Sequence, residues 1–105
     1  MEEPYPLDIQ VLDSVEKHLG SLKLSDEAKI RAAMGVMRRG TFSAVHTKPV
    51  KGKIRELIVR QFRLLYFLKD KTLYFVSMFV KKTAKTPKHE IEYAEKIFKV
   101  IKNQK

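Results

Sequence analysis

The run Leu73–Val80, Leu-Tyr-Phe-Val-Ser-Met-Phe-Val, constrains the fold more than any other segment. It is apolar at both parities: Leu73, Phe75 and Phe79 on one, Tyr74, Val76, Met78 and Val80 on the other. A strand with one wet face alternates apolar and polar side chains, so a strand without alternation needs cover on both sides. The run is far shorter than the ~20 residues that span a bilayer, which predicts an interior strand rather than a membrane helix. Two similar runs precede it, Lys53–Arg60 and Phe62–Leu68, rich in Val, Ile, Phe, Tyr and Leu. The links between the three are short enough for antiparallel hairpins, and Lys69-Asp70-Lys71 is the clearer turn.

The cover has to come from the flanks, and both flanks read as helical. Ile9, Leu12, Val15 and Leu19 repeat at three and four residues before Gly20, a C-cap residue. After the short link Ser21–Leu24, Ser25 offers an N-cap with Asp26 and Glu27 in the first turn, and Ile30, Ala33, Met34 and Met37 form an apolar stripe. These two segments are expected to form an antiparallel helical pair. Thr41–Gly52 contains Pro49 and Gly52 and reads as a loop. At the other end Thr86 is placed to cap a helix with Pro87 at its first position, and Ile91, Ala94, Phe98 and Ile101 make its buried stripe. Glu92–Lys96 and Glu95–Lys99 are i,i+4 pairs in the favourable order. The order α-α-β-β-β-α predicts an α+β fold. A chain of 105 residues, 44% hydrophobic, is expected to form one domain over residues 1–105 around one core.

Charge separates the halves. Residues 1–40 carry six Lys/Arg against seven Asp/Glu, net −1, and residues 41–105 carry sixteen against five, net +11. A field this lopsided attracts polyanions, because Lys and Arg displace the counterions condensed on phosphates. A solvated lysine-rich surface is the plain alternative. Basic residues interleaved with aromatic strands favour a nucleic-acid face. With no cysteine, disulfide scaffolds, thiolate zinc sites and thiol nucleophiles are excluded. Neither GxGxxG nor GKS/GKT occurs, and His89-Glu90 does not continue to HExxH because Tyr93 stands at the fifth position. No metal or cofactor is expected. The chain opens with Glu2 and Glu3 and shows no basic or hydrophobic leader, so a cytoplasmic protein without membrane attachment is expected.

The informative cations lie between Lys48 and Lys88. Arg55, Arg60 and Arg63 sit on or beside the first two strands, and Lys81, Lys82, Lys85 and Lys88 follow the third. Antiparallel pairing brings them to one region of the sheet, although alternation keeps them from sharing one face. Converging Arg and Lys can grip a phosphodiester and stabilise the added charge of a pentavalent transition state. Each residue has a structural alternative. Arg63 could form an ion pair with Glu56 across the hairpin, Lys81 and Lys82 could be solvated strand-end charges, and Tyr66, Tyr74 and Phe79 read as core. Glu56 is the only carboxylate in the three strands and a conceivable general base. His18, His46 and His89 are scattered.

Arg55-Glu56-Leu57, then Phe62-Arg63-Leu64-Leu65-Tyr66-Phe67, then Phe79-Val80-Lys81-Lys82-Thr83-Ala84-Lys85-Thr86-Pro87-Lys88-His89-Glu90-Ile91-Glu92 together resemble the RelE/HigB superfamily, in its phage-derived, HigB-like branch. The third element is the most specific, and the likeness covers roughly residues 24–102. The resemblance implies a RelE-like fold: two N-terminal helices, a curved antiparallel sheet of three to four strands and a C-terminal helix. It implies a type II toxin that cleaves mRNA, in most members within the ribosomal A site, without metal, by attack of the ribose 2′-OH on its own 3′-phosphate. It also implies a cognate antitoxin, commonly a helix-turn-helix, HigA-like protein encoded nearby. By position Arg63 is the catalytic or phosphate-binding arginine of the aromatic-Arg strand, and Lys81 and Lys82 occupy the place of transition-state stabilisers. Arg55, Arg60, Lys85 and Lys88 are the expected phosphate contacts. Ile58 stands where the family pattern has arginine, so Arg60 or Arg55 is expected to supply that charge. Pro87, Lys88 and His89 fill the stretch where some relatives carry an acid/base. Glu56 and His89 are acid/base candidates here, and Lys81 or Lys82, crowded by like charges, is a further candidate for proton transfer. The reading from another class is a non-catalytic basic module that binds nucleic acid or the ribosome.

Overall fold

Two tight turns set the register of the sheet. In the computed structural model, which describes residues 6–104, Asp70 and Lys71 both take left-handed backbone, φ 49° and 64°. Their twist matches that of two strands joined by a two-residue turn. They join β4 (Phe62–Lys69) to β5 (Thr72–Val80), with Lys69 opposite Thr72. Arg60, at φ 54°, opens an equally short turn between β3 (Ile54–Val59) and β4, with Val59 opposite Phe62. These three strands lie where the sequence placed them, to within a residue or two at their ends. The opening Glu2 and Glu3 lie outside the described residues.

Two further strands correct the expected sheet of three to four antiparallel strands. β1 (Asp8–Val11) pairs parallel with β5, and β2 (His46–Lys51) pairs antiparallel with β3, giving five strands in the order β1-β5-β4-β3-β2. Ile9 had been counted into a helical repeat, but α1 (Asp13–Gly20) begins only after Leu12. Val15 and Leu19 carry that helix, while Ile9 and Val11 follow strand alternation. β2 was read as loop because of Pro49. On an edge strand a proline's missing N–H need not break a ladder, and here the register shifts between Pro49 and Lys51.

The sheet is covered on both faces, as the Leu73–Val80 run requires. On one face α1 and α2 (Leu24–Arg38) pack Val15, Leu19, Ile30, Met34 and Met37 against Leu57, Leu64, Tyr66, Leu73 and Phe75. On the other, Ala94, Phe98 and Ile101 of α3 (Lys88–Lys102) cover Ile54, Leu65, Phe67 and Val76. Phe67 meets Phe98 edge-on at 4.9 Å between centroids. The parity of β5 switches along its length. A bulge places Tyr66 opposite Phe75 but Leu65 opposite Ser77, so Val76 is the extra residue. Val76 packs in the α3 core, and the neighbouring Ser77 hydroxyl donates to Glu90 of α3. Met78 then faces the α1/α2 core.

The predicted caps are corrected too. α2 starts at Leu24 with Lys23, not Ser25, at its N-cap; Asp26 and Glu27 lie in its first turn as expected, and Asp26 also bonds Arg60. Pro87, not Thr86, precedes α3, and the Thr86 hydroxyl points elsewhere. Glu95 reaches across to Lys51 at 3.4 Å. Among the described residues no helix is long and apolar enough to cross a membrane.

The two N-terminal helices are bridged by Arg31 of α2, which donates to Glu16 of α1 at 2.8 Å and to Glu27 at 2.9 Å. The hydrogen bond from Arg31 holds the Glu16 carboxyl below the ordinary carboxylate range, with slight burial opposing it. A lowered folded-state value means the pair stabilises fully above the ordinary carboxylate range, and the gain disappears as pH falls through the lowered value. Both side chains are nearly half exposed, so the contribution is at most a few tenths of a kcal/mol. Glu16→Gln should therefore lower the thermal midpoint slightly at pH 7 and leave it unchanged at pH 2, as measured by calorimetry at the two pH values.

Candidate functional site

Strand register brings the site together. Arg63 of β4 stands opposite Ile58, so Glu56 lies two residues along β3 on the same face, the diagonal neighbour that a long side chain reaches. The Arg63 Nε lies 3.8 Å from Glu56 Oε2. Its Nη1 donates to the carbonyl oxygens of Arg60, at 2.7 Å, and Phe62, at 2.9 Å. The turn before β4 thus holds one end of a guanidinium that is only 11% exposed. The rest of the group makes no further hydrogen bond among the described residues, and the side chain lines a narrow cleft.

Glu56 is sealed. It is 1% exposed, and both of its oxygens are engaged. Oε1 accepts the Thr86 hydroxyl at 2.6 Å, and Oε2 faces Lys48 Nζ at 3.5 Å as well as Arg63. The ion pair expected between Arg63 and Glu56 is present, and the same carboxylate also holds Lys48 beside the cleft. Glu56 borders the cleft but is 1% exposed, with both oxygens already engaged, which disfavours it as a general base.

The opposite wall is the segment 81–87 between β5 and α3. The Lys81 amide donates to the Gln61 carbonyl at 2.8 Å, which fixes the segment's first residue against the β3–β4 turn. Thr83 Oγ1 donates to the Lys85 carbonyl at 2.8 Å inside it. The cleft is lined by Lys48, Glu56, Arg63 and Phe79, and by residues 81–87 of that segment. Five cationic side chains, Lys48, Arg63, Lys81, Lys82 and Lys85, therefore meet one carboxylate whose charge is turned inward. Such a site attracts an anion and gives it hydrogen-bond donors from several directions.

The remaining candidates lie apart from the cleft. Arg55 is on the opposite face of the sheet, where Nε donates to Tyr66 Oη and Nη2 to Thr47 Oγ1, both at 3.3 Å. It borders a separate pocket of about 460 Å³ with Phe42, Leu68 and Leu73. Arg60 bonds Asp26 of α2 at 2.7 Å. Neither replaces, within the cleft, the arginine that Ile58 lacks. Lys88 and His89 are exposed on the first turn of α3 outside the cleft lining, and His89 Nε2 lies 3.3 Å from Glu90 Oε2. Tyr66 is buried against Phe75, and Tyr74 stacks on Phe67 at 5.2 Å, so both are core residues. Lys48 and Thr86 are the residues that sequence reasoning missed. Lys48 lies in a segment that Pro49 and Gly52 make look like a loop, and Thr86 stands where a helix cap is expected.

Comparison with known proteins places the chain in a family. The model described as "Phage derived protein Gp49-like (DUF891)" matches residues 17–99. No curated protein sequence matches this chain. Among solved structures, the archaeal RelE-RelB complex from Pyrococcus horikoshii OT3 contains a similar chain, with TM-score 0.68 and 13% identity, covering 75% of this chain and 99% of that one. Similarity at that identity establishes the fold, which is RelE-like with five strands in place of three to four. The chain belongs to the phage-derived Gp49-like family, a RelE/HigB-type toxin family.

Proposed function

We propose that this protein is the toxin of a type II toxin–antitoxin pair and acts as a metal-independent endoribonuclease on mRNA held by the ribosome. The observation that carries the reading is the cleft itself: a largely buried arginine and four lysines face one site whose single carboxylate is sealed away. In-line attack by a ribose 2′-oxygen on the adjacent phosphorus builds negative charge on the equatorial oxygens. Fixed cations stabilise that charge more than they stabilise the ground state. Arg63 is assigned the grip on the scissile phosphate, and Lys48 and Lys85 hold flanking phosphates. Lys81 and Lys82 are assigned to the developing charge, and one of them, as ammonium, donates a proton to the leaving 5′-oxygen. The ribosome contributes by holding the mRNA near the attacking geometry.

Removal of Arg63 tests the assignment most directly. Arg63→Ala should relieve growth arrest and lower the cleavage rate at least about 100-fold, with the folded state verified by its thermal midpoint. Arg63→Lys should recover little, since a point charge does not reproduce the planar fork. A fully toxic Arg63→Ala protein removes Arg63 from the site.

The products report the chemistry. Cleavage of translated mRNA should persist in EDTA and leave 2′,3′-cyclic phosphate ends, as read by end-labelling. The Lys81→Ala/Lys82→Ala variant should lose more rate than affinity. Ends bearing 5′-phosphate, or activity restored only by Mg²⁺, contradict this mechanism. A protein that binds ribosomes and arrests growth only at stoichiometric copy number, with no cut RNA, is instead a non-catalytic binder.

The same charge defines the inhibitor. An antitoxin, proposed here to be a helix-turn-helix protein of the HigA kind, should present acidic residues to the basic half, and its association rate should fall as salt rises. Co-expression of the adjacent gene product with stopped-flow binding at two ionic strengths checks this. Failure of every neighbouring product to suppress toxicity counts against the toxin–antitoxin reading.

A further inference from the structure

A buried carboxylate in a site meant for phosphate needs a reason, because it opposes the charge of the ligand. Glu56 is fully within the fold, and an unpaired carboxylate taken out of water is strongly destabilising unless partners compensate. Its partners come from three separate elements. Lys48 is on β2, Arg63 on β4, and Thr86 ends the lysine-bearing segment before α3. No other described residue joins all three. The segment carrying Lys81, Lys82 and Lys85 has one end fixed by the Lys81 amide on Gln61. Its other end is fixed by the Thr86 hydroxyl on Glu56.

We propose that Glu56 is a positioning residue, a buried hub that holds Arg63 and Lys48 through one oxygen and fixes the lysine segment through the other by way of Thr86. It touches no substrate atom; it sets the distance between the two walls of the cleft. The Thr86 hydroxyl is the adjustable part of this device, since it contributes a hydrogen bond to a charged acceptor and no charge of its own. Without it the lysines still face solvent and still attract RNA, because long-range attraction depends on their charge and not on their register. What is lost is their alignment with Arg63, and a displacement of about 1 Å in such a site can cost 100-fold in rate.

The activity readout rests on the ribonuclease reading, so the test pairs it with one that does not. Thr86→Val, nearly isosteric but without the donor, is compared with Thr86→Ser, which keeps it, in the full chain. The first measurement is single-turnover cleavage of mRNA on the ribosome, set beside affinity for ribosomes carrying mRNA with a 2′-deoxy nucleotide at the scissile position. The second is amide hydrogen exchange over residues 82–87. Thr86→Val should cleave about tenfold more slowly with affinity within about twofold of the parent, and its segment should exchange faster. Thr86→Ser should match the parent in both. Glu56→Gln, which keeps the acceptor for Thr86 but removes the charge facing Arg63 and Lys48, should slow cleavage while leaving exchange over 82–87 unchanged. Parent-like rate and exchange in Thr86→Val overturn the proposal. Equal losses of rate and affinity overturn it too, since they mean Thr86 serves binding alone. If the parent itself cuts no RNA, the ribonuclease reading falls and hydrogen exchange alone decides whether Thr86 fixes the segment.

Discussion

Helices cover both faces of the sheet, so a polar side chain on its inner strands has no solvent to turn to and must find a partner. Among the described residues no buried side-chain nitrogen or oxygen lacks one. Glu56 takes two cations and a hydroxyl, Ser77 bonds Glu90, and Arg63 bonds two backbone carbonyls. Most of these contacts tie the inner strands to something beyond them: the edge strand β2, the β3–β4 turn, or the entry to α3. Those made by Glu56 and Arg63 also build the cleft. A RelE-like scaffold of this size can place its site on the sheet without a separate lobe to shape it.

Parity explains how the basic residues sort themselves. Arg55 and Arg63 are both strand arginines of the same charged half, yet the register sends them to opposite faces. Arg60, in the turn, is drawn to α2 by Asp26. The excess of positive charge was plain from counting, but its division among cleft, far face and turn depends on pairings that no count contains. In the cleft, Arg63 of β4 and the lysines after β5 are joined by Lys48, a cation from a different strand.

What the sequence disclosed follows the strength of its periodic signals. The three long strands, α2 and α3 were legible because their apolar residues repeat over eight or more positions or are bounded by turn residues. β1 was not, since four residues hold too few periods to distinguish a strand from the start of the helix that follows it. β2 was masked by Pro49, whose cost depends on edge or interior placement, a fact of topology. The β5 bulge reversed the expected parity of Ser77 and Met78, and a bulge leaves no compositional trace. Thr86 shows the limit for the site. Its neighbours on the chain suggest a cap, while its actual acceptor, Glu56, is 30 residues away and visible only once the sheet is assembled.

The placement of Lys48 on an edge strand has a consequence for association. An open edge invites another chain to add a strand, and proteins avert this with proline, lysine and bulges. β2 carries all three, with Pro49 between Lys48 and Lys51 and the register slipping just beyond the proline. A strand approaching from outside would meet a missing donor, a broken ladder and two positive charges. The edge that borders the cleft thus carries, in proline, lysine and bulge, the features that discourage another chain from adding a strand there.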